Sequence, residues 1–266
     1  METPSLEGDT PVVVVGFPGV WGLCSPSPFA VKLETFLRIA EVPYTTAPLT
    51  GPPRSPTGKF PYLLLPNGEV LADSSRIIEE LTRARALQVD AALDPQQRAL
   101  LHLIQRLVEE HIYFVLVWAR WTRAEGFGHV RSAYFNFVPA VLRPLAAMIA
   151  RRAALAQLHG QGIGRQPEER ILELLRADLT ALEQLMPADG WVFGSPGCAD
   201  AICFGFIASL LGTPGNCPAK ELTRRFPKLC AHTERVRARY WAGAALAGPT
   251  SKNNAVARIG VAGPPS

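Results

Sequence analysis

The chain lacks any apolar stretch approaching the roughly 18 residues that a membrane-crossing helix requires, so a bilayer-spanning protein is not expected. It is also poor in organised cysteine. Cys24, Cys198, Cys203, Cys217 and Cys230 show neither C-x-x-C pairing nor the density of a disulfide scaffold, which fits a reduced, cytoplasmic setting. The opening METPSLEGDT contains no arginine, and neither a secretory signal nor a mitochondrial presequence is expected there. Charge of one sign forms no run: the net +4 is carried by basic residues interspersed with acidic ones, and no nucleic-acid partner is expected. Arg143, Arg151, Arg152 and Arg165 are a partial exception, read as a solvated helix face with a membrane or anionic-partner surface as the alternative. A dinucleotide loop is missing too, because GQGIG (Gly160 to Gly164) follows a helical stretch and reads as a turn. His111 lies on an apolar face without a metal or nucleophile partner at helical spacing and reads as a core histidine, Glu109-Glu110 as surface charge. No metal site is expected.

What remains is the composition of a folded body: 48% of the residues are hydrophobic and 19% charged, over 266 residues, enough for two domains or one large one. Pro11 to Phe17 (PVVVVGF) is a β-branched run without alternation, the pattern of a strand buried on both faces. Ser25 to Ala40 (SPSPFAVKLETFLRIA) follows. Phe29, Leu33, Phe36, Leu37 and Ala40 form one apolar stripe, with Lys32, Glu34, Thr35 and Arg38 on the other face, an amphipathic helix. Ser27 before Pro28 marks its start, where exposed amides and the helix dipole favour a thiolate or carboxylate. Val42 to Pro48 reads as a second strand. Tyr62 to Leu65 and Glu69 to Leu71 form a hairpin around Asn67-Gly68, and Asp73 or Ser74 caps a helix carrying Ile77, Ile78 and Leu81. Pro61 would waste a ladder donor in trans, so a cis peptide is expected before the third strand.

Beyond a linker, Asp94-Pro95 opens a long helix whose core face runs through Leu100, Leu103, Ile104, Leu107, His111, Phe114, Trp118 and Trp121. The stretch from Tyr134 to Leu158 should kink or restart at Pro139 and Pro144, and Pro167-Glu168-Glu169 opens another helix. Trp191 to Leu211 is apolar nearly all round, a central buried helix in which Cys198 and Cys203 are packing residues. Two short helices follow, and a disordered tail is expected over 242–266.

The β-α-β-β-α order, with proline opening the third strand and Asp-Ser opening the last helix, resembles the thioredoxin-like domain of the glutathione transferase superfamily. SPFAVKLETFLRIAEVPY, SPTGKFPYL, EEHIYF and GQGIGR are similar to the branch that holds the failed axon connections proteins, the metaxins and their bacterial glutathione-transferase-like relatives. The resemblance implies an α/β thioredoxin-like domain over 11–86, an all-helical domain over 94–241, and possible homodimers. It implies glutathione as substrate, with a small electrophile as the second partner. Ser27 would then donate to the glutathione sulfur, with Ser25 and Cys24 as alternatives; Cys24 has the C-x-x-S spacing of a monothiol redox site. Phe60, before Pro61, would pair its backbone with the ligand, and Asp73 and Ser74 would hold the γ-glutamyl end. Asp200 matches the aspartate of the superfamily's Ser/Thr-x-x-Asp capping box, but the cap position here is Gly197. The alternative function is a non-catalytic adaptor that binds a protein or sits on a membrane.

Overall fold

The structure, a computed structural model, describes residues 6–49 and 55–242. The tail expected to be disordered lies outside them beyond Ala242. Among the described residues no helix is long and apolar enough to cross a membrane, and no group of three or more His, Cys, Asp or Glu side chains could hold a metal ion.

The valine run forms β1 (Val12–Gly16), followed by α1 (Pro28–Ile39) and β2 (Tyr44–Pro48). The Asn-Gly hairpin gives β3 (Tyr62–Leu64) and β4 (Val70–Ala72), and α2 (Ser74–Ala84) closes the unit. The strand order is β2-β1-β3-β4, with β1 parallel to β2 and antiparallel to β3. This is the thioredoxin-like arrangement. Leu33, Phe36 and Leu37 of α1 meet Val14, Leu63 and Ile77 in the core beside the sheet.

The rest is helical: α3 (Pro95–Leu107), α4 (Tyr113–Trp121), α5 (Ala124–Tyr134), α6 (Arg143–Gln161), α7 (Glu168–Leu185), α8 (Cys198–Leu211), α9 (Pro218–Thr223) and α10 (Pro227–Tyr240). A π-helical turn over Val108–Ile112 joins α3 to α4. Such a turn holds more residues than an α-turn and rotates the helix beyond it. The core face runs through Ile104, Val108, Ile112 and Val115, while Leu103, expected inside, is 63% exposed on the regular α3 ahead of that turn. His111 leaves the core as well. It is half-buried against Asp178 of α7, whose hydrogen bond raises the imidazole pKa.

The second correction concerns α1. Lys32, Glu34 and Thr35, expected on a solvent face, are buried, and Arg38 is half-buried. The helix is covered twice, by the sheet on one side and by α8 on the other. At Gly205 of α8 an added Cβ would stand 2.8 Å from the Pro28 carbonyl oxygen. The polar groups survive this burial because each finds a partner. Lys32 Nζ lies 2.5 Å from Glu109 Oε1, Thr35 Oγ1 donates to the Val31 carbonyl, and Arg38 donates to Tyr44 and to the Tyr240 carbonyl. Glu109 is thus a buried ion-pair partner and not surface charge; Glu110 is exposed.

A third correction concerns the arginines. Arg152 and Arg165 are exposed, but Arg143 donates to the Val138 and Asn136 carbonyls of the loop after α5 and Arg151 to those of Trp121 and Thr122 at the end of α4.

Candidate active site

Ser27 has extended backbone at the N-cap of α1, and its carbonyl accepts from the Ala30 and Val31 amides. Its hydroxyl makes no capping bond, and the residue lines a cavity of about 360 Å³. The two alternatives turn elsewhere. Ser25 is buried, and its Oγ accepts the Ser27 N–H at 3.2 Å. Cys24 packs beside Leu23, Phe204 and Trp241, where burial and the neighbouring Glu34 carboxylate push its thiol well up. Neither lines the cavity. A thiol raised in this way is a packing group, since reactivity follows the thiolate.

The Phe60–Pro61 peptide is cis, and Phe60 lines the same cavity. Phe17, at the end of β1, stands edge-on to Phe60 with ring centroids 5.1 Å apart and 4.7 Å from the Tyr134 ring. Tyr113 and Trp121 of α4 and three alanines of α6, Ala150, Ala153 and Ala154, complete much of the wall. The enclosure is mainly aromatic and aliphatic.

Asp73 and Ser74 do not line this cavity. Asp73 sits at positive φ (75°), and its Oδ1 accepts the Ser75 and Arg76 amides at 2.9 and 3.1 Å, a working N-cap. The starts of α2 and α1 are nevertheless tied: Lys32 Nζ donates to Ser75 Oγ at 2.8 Å, five residues or about 7.5 Å along the helix from Ser27.

Residues 28–126 match the family described as glutathione S-transferase N-terminal domain, and residues 175–236 match glutathione S-transferase, C-terminal domain. The isoprene-epoxide–glutathione S-transferase of a Rhodococcus strain is 30% identical over 241 residues, 86% of this chain and 99% of that protein. The chain belongs to the glutathione S-transferase family. It is also similar to metaxin-1 of Sus scrofa, 28% identical over 90% of this chain and 78% of that one. Failed axon connections of Drosophila melanogaster is 26% identical over 81% of this chain and 54% of its own. Among solved structures, a Phanerochaete chrysosporium glutathione transferase superposes with TM-score 0.59 at 16% identity, over 87% of this chain and 98% of that one. One from Methylobacterium radiotolerans, in complex with glutathione sulfonate, gives 0.56 at 17% identity, covering 93% and 100%. At these identities the structural likeness is one of fold.

In this family member the site contains more than the sequence indicated. Arg120 is buried and lines the cavity, yet among the described residues no carboxylate lines it or pairs with Arg120. It donates to the Pro26 carbonyl at 2.7 Å, the Ser209 carbonyl at 2.8 Å and Thr213 Oγ1 at 3.2 Å. Tyr134 donates to the same Pro26 carbonyl at 3.0 Å. The peptide just before Ser27 is thereby fixed from α4 and α5. Burial lowers the Arg120 pKa, raises that of Tyr134, and pushes Tyr113 up to about 12, so both phenols stay protonated near neutrality. Arg120 had a visible signal: it is the one charge in IYFVLVWARW. Tyr113 and Tyr134 had none beyond being aromatic.

Proposed function

We propose that this chain binds glutathione across the start of α1 and transfers it to a small apolar electrophile held in the cavity. The observation that supports this reading is Ser27, its hydroxyl uncommitted to capping, lining a mainly apolar enclosure at a helix start. Donation from Ser27 Oγ to the glutathione sulfur favours the ionised thiol, and the positive end of α1 adds to it. The thiol proton passes to solvent. The thiolate then forms the new S–C bond as the bond to the leaving oxygen or halogen breaks and its electron pair departs with that atom. Phe60 pairs its main chain with the tripeptide in the manner of an added strand. Asp73 turns Oδ2, which its capping bonds leave unused, toward the γ-glutamyl ammonium, and the Ser74 end of α2 receives the carboxylate. The name of the Rhodococcus relative mentions isoprene epoxide; a small epoxide is compatible in size and polarity with the enclosure.

The test is retention on immobilised glutathione followed by a conjugation assay. Ser27→Ala is expected to keep retention and lower turnover by about a hundredfold, the usual cost of losing one donor to a developing anion. Ser25→Ala should change turnover by less than about tenfold, because it removes only a side-chain acceptor of the Ser27 amide worth about 1 kcal/mol. Equal losses in both variants would remove Ser27 from its role. Failure of the unaltered chain to be retained would favour the adaptor reading suggested by the metaxin and failed axon connections relatives.

A further inference from the structure

The longest helix, α6, is arranged inside out. At 100° per residue, the side facing the protein carries Ala147, Ala150, Ala154 and Leu158, whereas the outward arc of about 140° carries Leu142, Leu145, Met148, Ile149 and Leu155. The exposures are 53, 52, 61, 61 and 39%, and Val141 just before the helix is 90% exposed. Scattered exposed apolar residues need no explanation, but a contiguous stripe of large ones marks a contact surface. Charge indicates the kind of contact. From Gly126 to Pro167 there is no aspartate, glutamate or lysine, and five arginines, Arg131, Arg143, Arg151, Arg152 and Arg165. Arg143 and Arg151 are spent on backbone carbonyls, but Arg131, Arg152 and Arg165 are exposed, and Arg152 stands within the apolar stripe itself.

We propose that the outward face of α6 docks on an anionic lipid bilayer, its leucines, methionine and isoleucine in the headgroup–acyl boundary and its exposed Arg152 on the headgroups. A stripe of large aliphatic side chains with cations and no acids is the composition that lies in such an interface. A second copy of this chain is a poorer occupant. A two-fold contact sets the same patch against itself, which would bring Arg152 toward its own copy with no carboxylate from this region to offset it. This inference does not depend on the transferase reading, because none of the residues involved lines the cavity.

The full chain is mixed with vesicles of pure phosphatidylcholine, or of equal parts phosphatidylcholine and phosphatidylglycerol, and pelleted at low and high salt. Binding is expected to the anionic vesicles, about tenfold or more weaker to the neutral ones, and weakened by salt. Met148→Asp with Ile149→Asp should abolish pelleting, and Arg152→Glu should reduce it about tenfold. Both changes are at exposed positions, and an unchanged melting temperature verifies the fold. The proposal is overturned if the chain pellets with neither vesicle, if it binds both equally at every salt concentration, or if the double variant pellets like the parent. It is also overturned if sedimentation equilibrium finds a dimer that the double variant turns into a monomer, which would make the stripe a self-contact.

Discussion

The start of α8 shows how a side chain can be supplied from a distance. Gly197 has no hydroxyl to accept the Ala199 or Asp200 amide, but Asp90 Oδ2, from outside the helix, accepts the neighbouring Cys198 amide at 3.0 Å. Asp200 completes the other half, accepting the Gly197 and Val192 amides and the His232 imidazole. A Cβ on Gly197 would stand 2.1 Å from Asp90 Oδ1. Gly197→Ser, which restores the usual capping residue, is therefore expected to destabilise the protein by about 1–3 kcal/mol through overpacking. Adding Asp90→Gly should recover most of the loss, because the serine can then act as the cap; urea unfolding of the four proteins checks this. An additive pair of losses would mean that Asp90 is not the substitute. Single residues were legible where their role is local. Ser27 beside Pro28, Asp73 before a helix and Asp200 within an apolar run all announce themselves by position. Asp90 and the Lys32–Glu109 pair did not, because their partners lie tens of residues away and only tertiary packing brings them together.

At the scale of elements, the strands and most helix starts were readable from β-branched runs, Asn-Gly and proline. Two features escaped. The π-turn has no composition signature, and it displaced the expected stripe at His111. Helix α5 carries Gly126 and Gly128, which argue against a helix by propensity. Gly126 is nevertheless required there, since its added Cβ would lie 2.7 Å from the Ala119 carbonyl oxygen of α4. Contact at the same range governs α1 and α8. Gly205→Ala is expected to cost about 1–3 kcal/mol and, if the transferase reading holds, to lower turnover more than glutathione retention, because it displaces the first turn that carries Ser27. Denaturant unfolding paired with conjugation kinetics measures both. A fully stable variant would show that the two helices are free to separate there.

For the molecule as a whole, α1 belongs to two cores. Leu33, Phe36 and Leu37 serve the sheet, whereas Val31 meets Phe204 and Ala208 of α8, and Phe29 packs against Tyr113 and Phe206. Lys32 and Glu109 join the same two halves through a pair that also engages Ser75 and Gln105. Lys32→Met alone leaves a buried carboxylate and should cost about 3–5 kcal/mol. Lys32→Met with Glu109→Leu should lose far less, which a double-mutant cycle by thermal unfolding would reveal. Strict additivity would mean the pair does not couple the halves. The amphipathic reading of α1 went astray for this reason: a single sequence indicates that one face is oily, but not that a second layer will cover the polar one.

The helix with alanines inward and bulky side chains outward also has a consequence for selectivity. On the α6 side, three methyl groups form most of the partition between the chamber and the surroundings, so the chamber can be narrowed one carbon at a time without touching any group that handles protons or charge. On the proposed transferase function, chains differing only at Ala150, Ala153 and Ala154 would sort their electrophiles by girth.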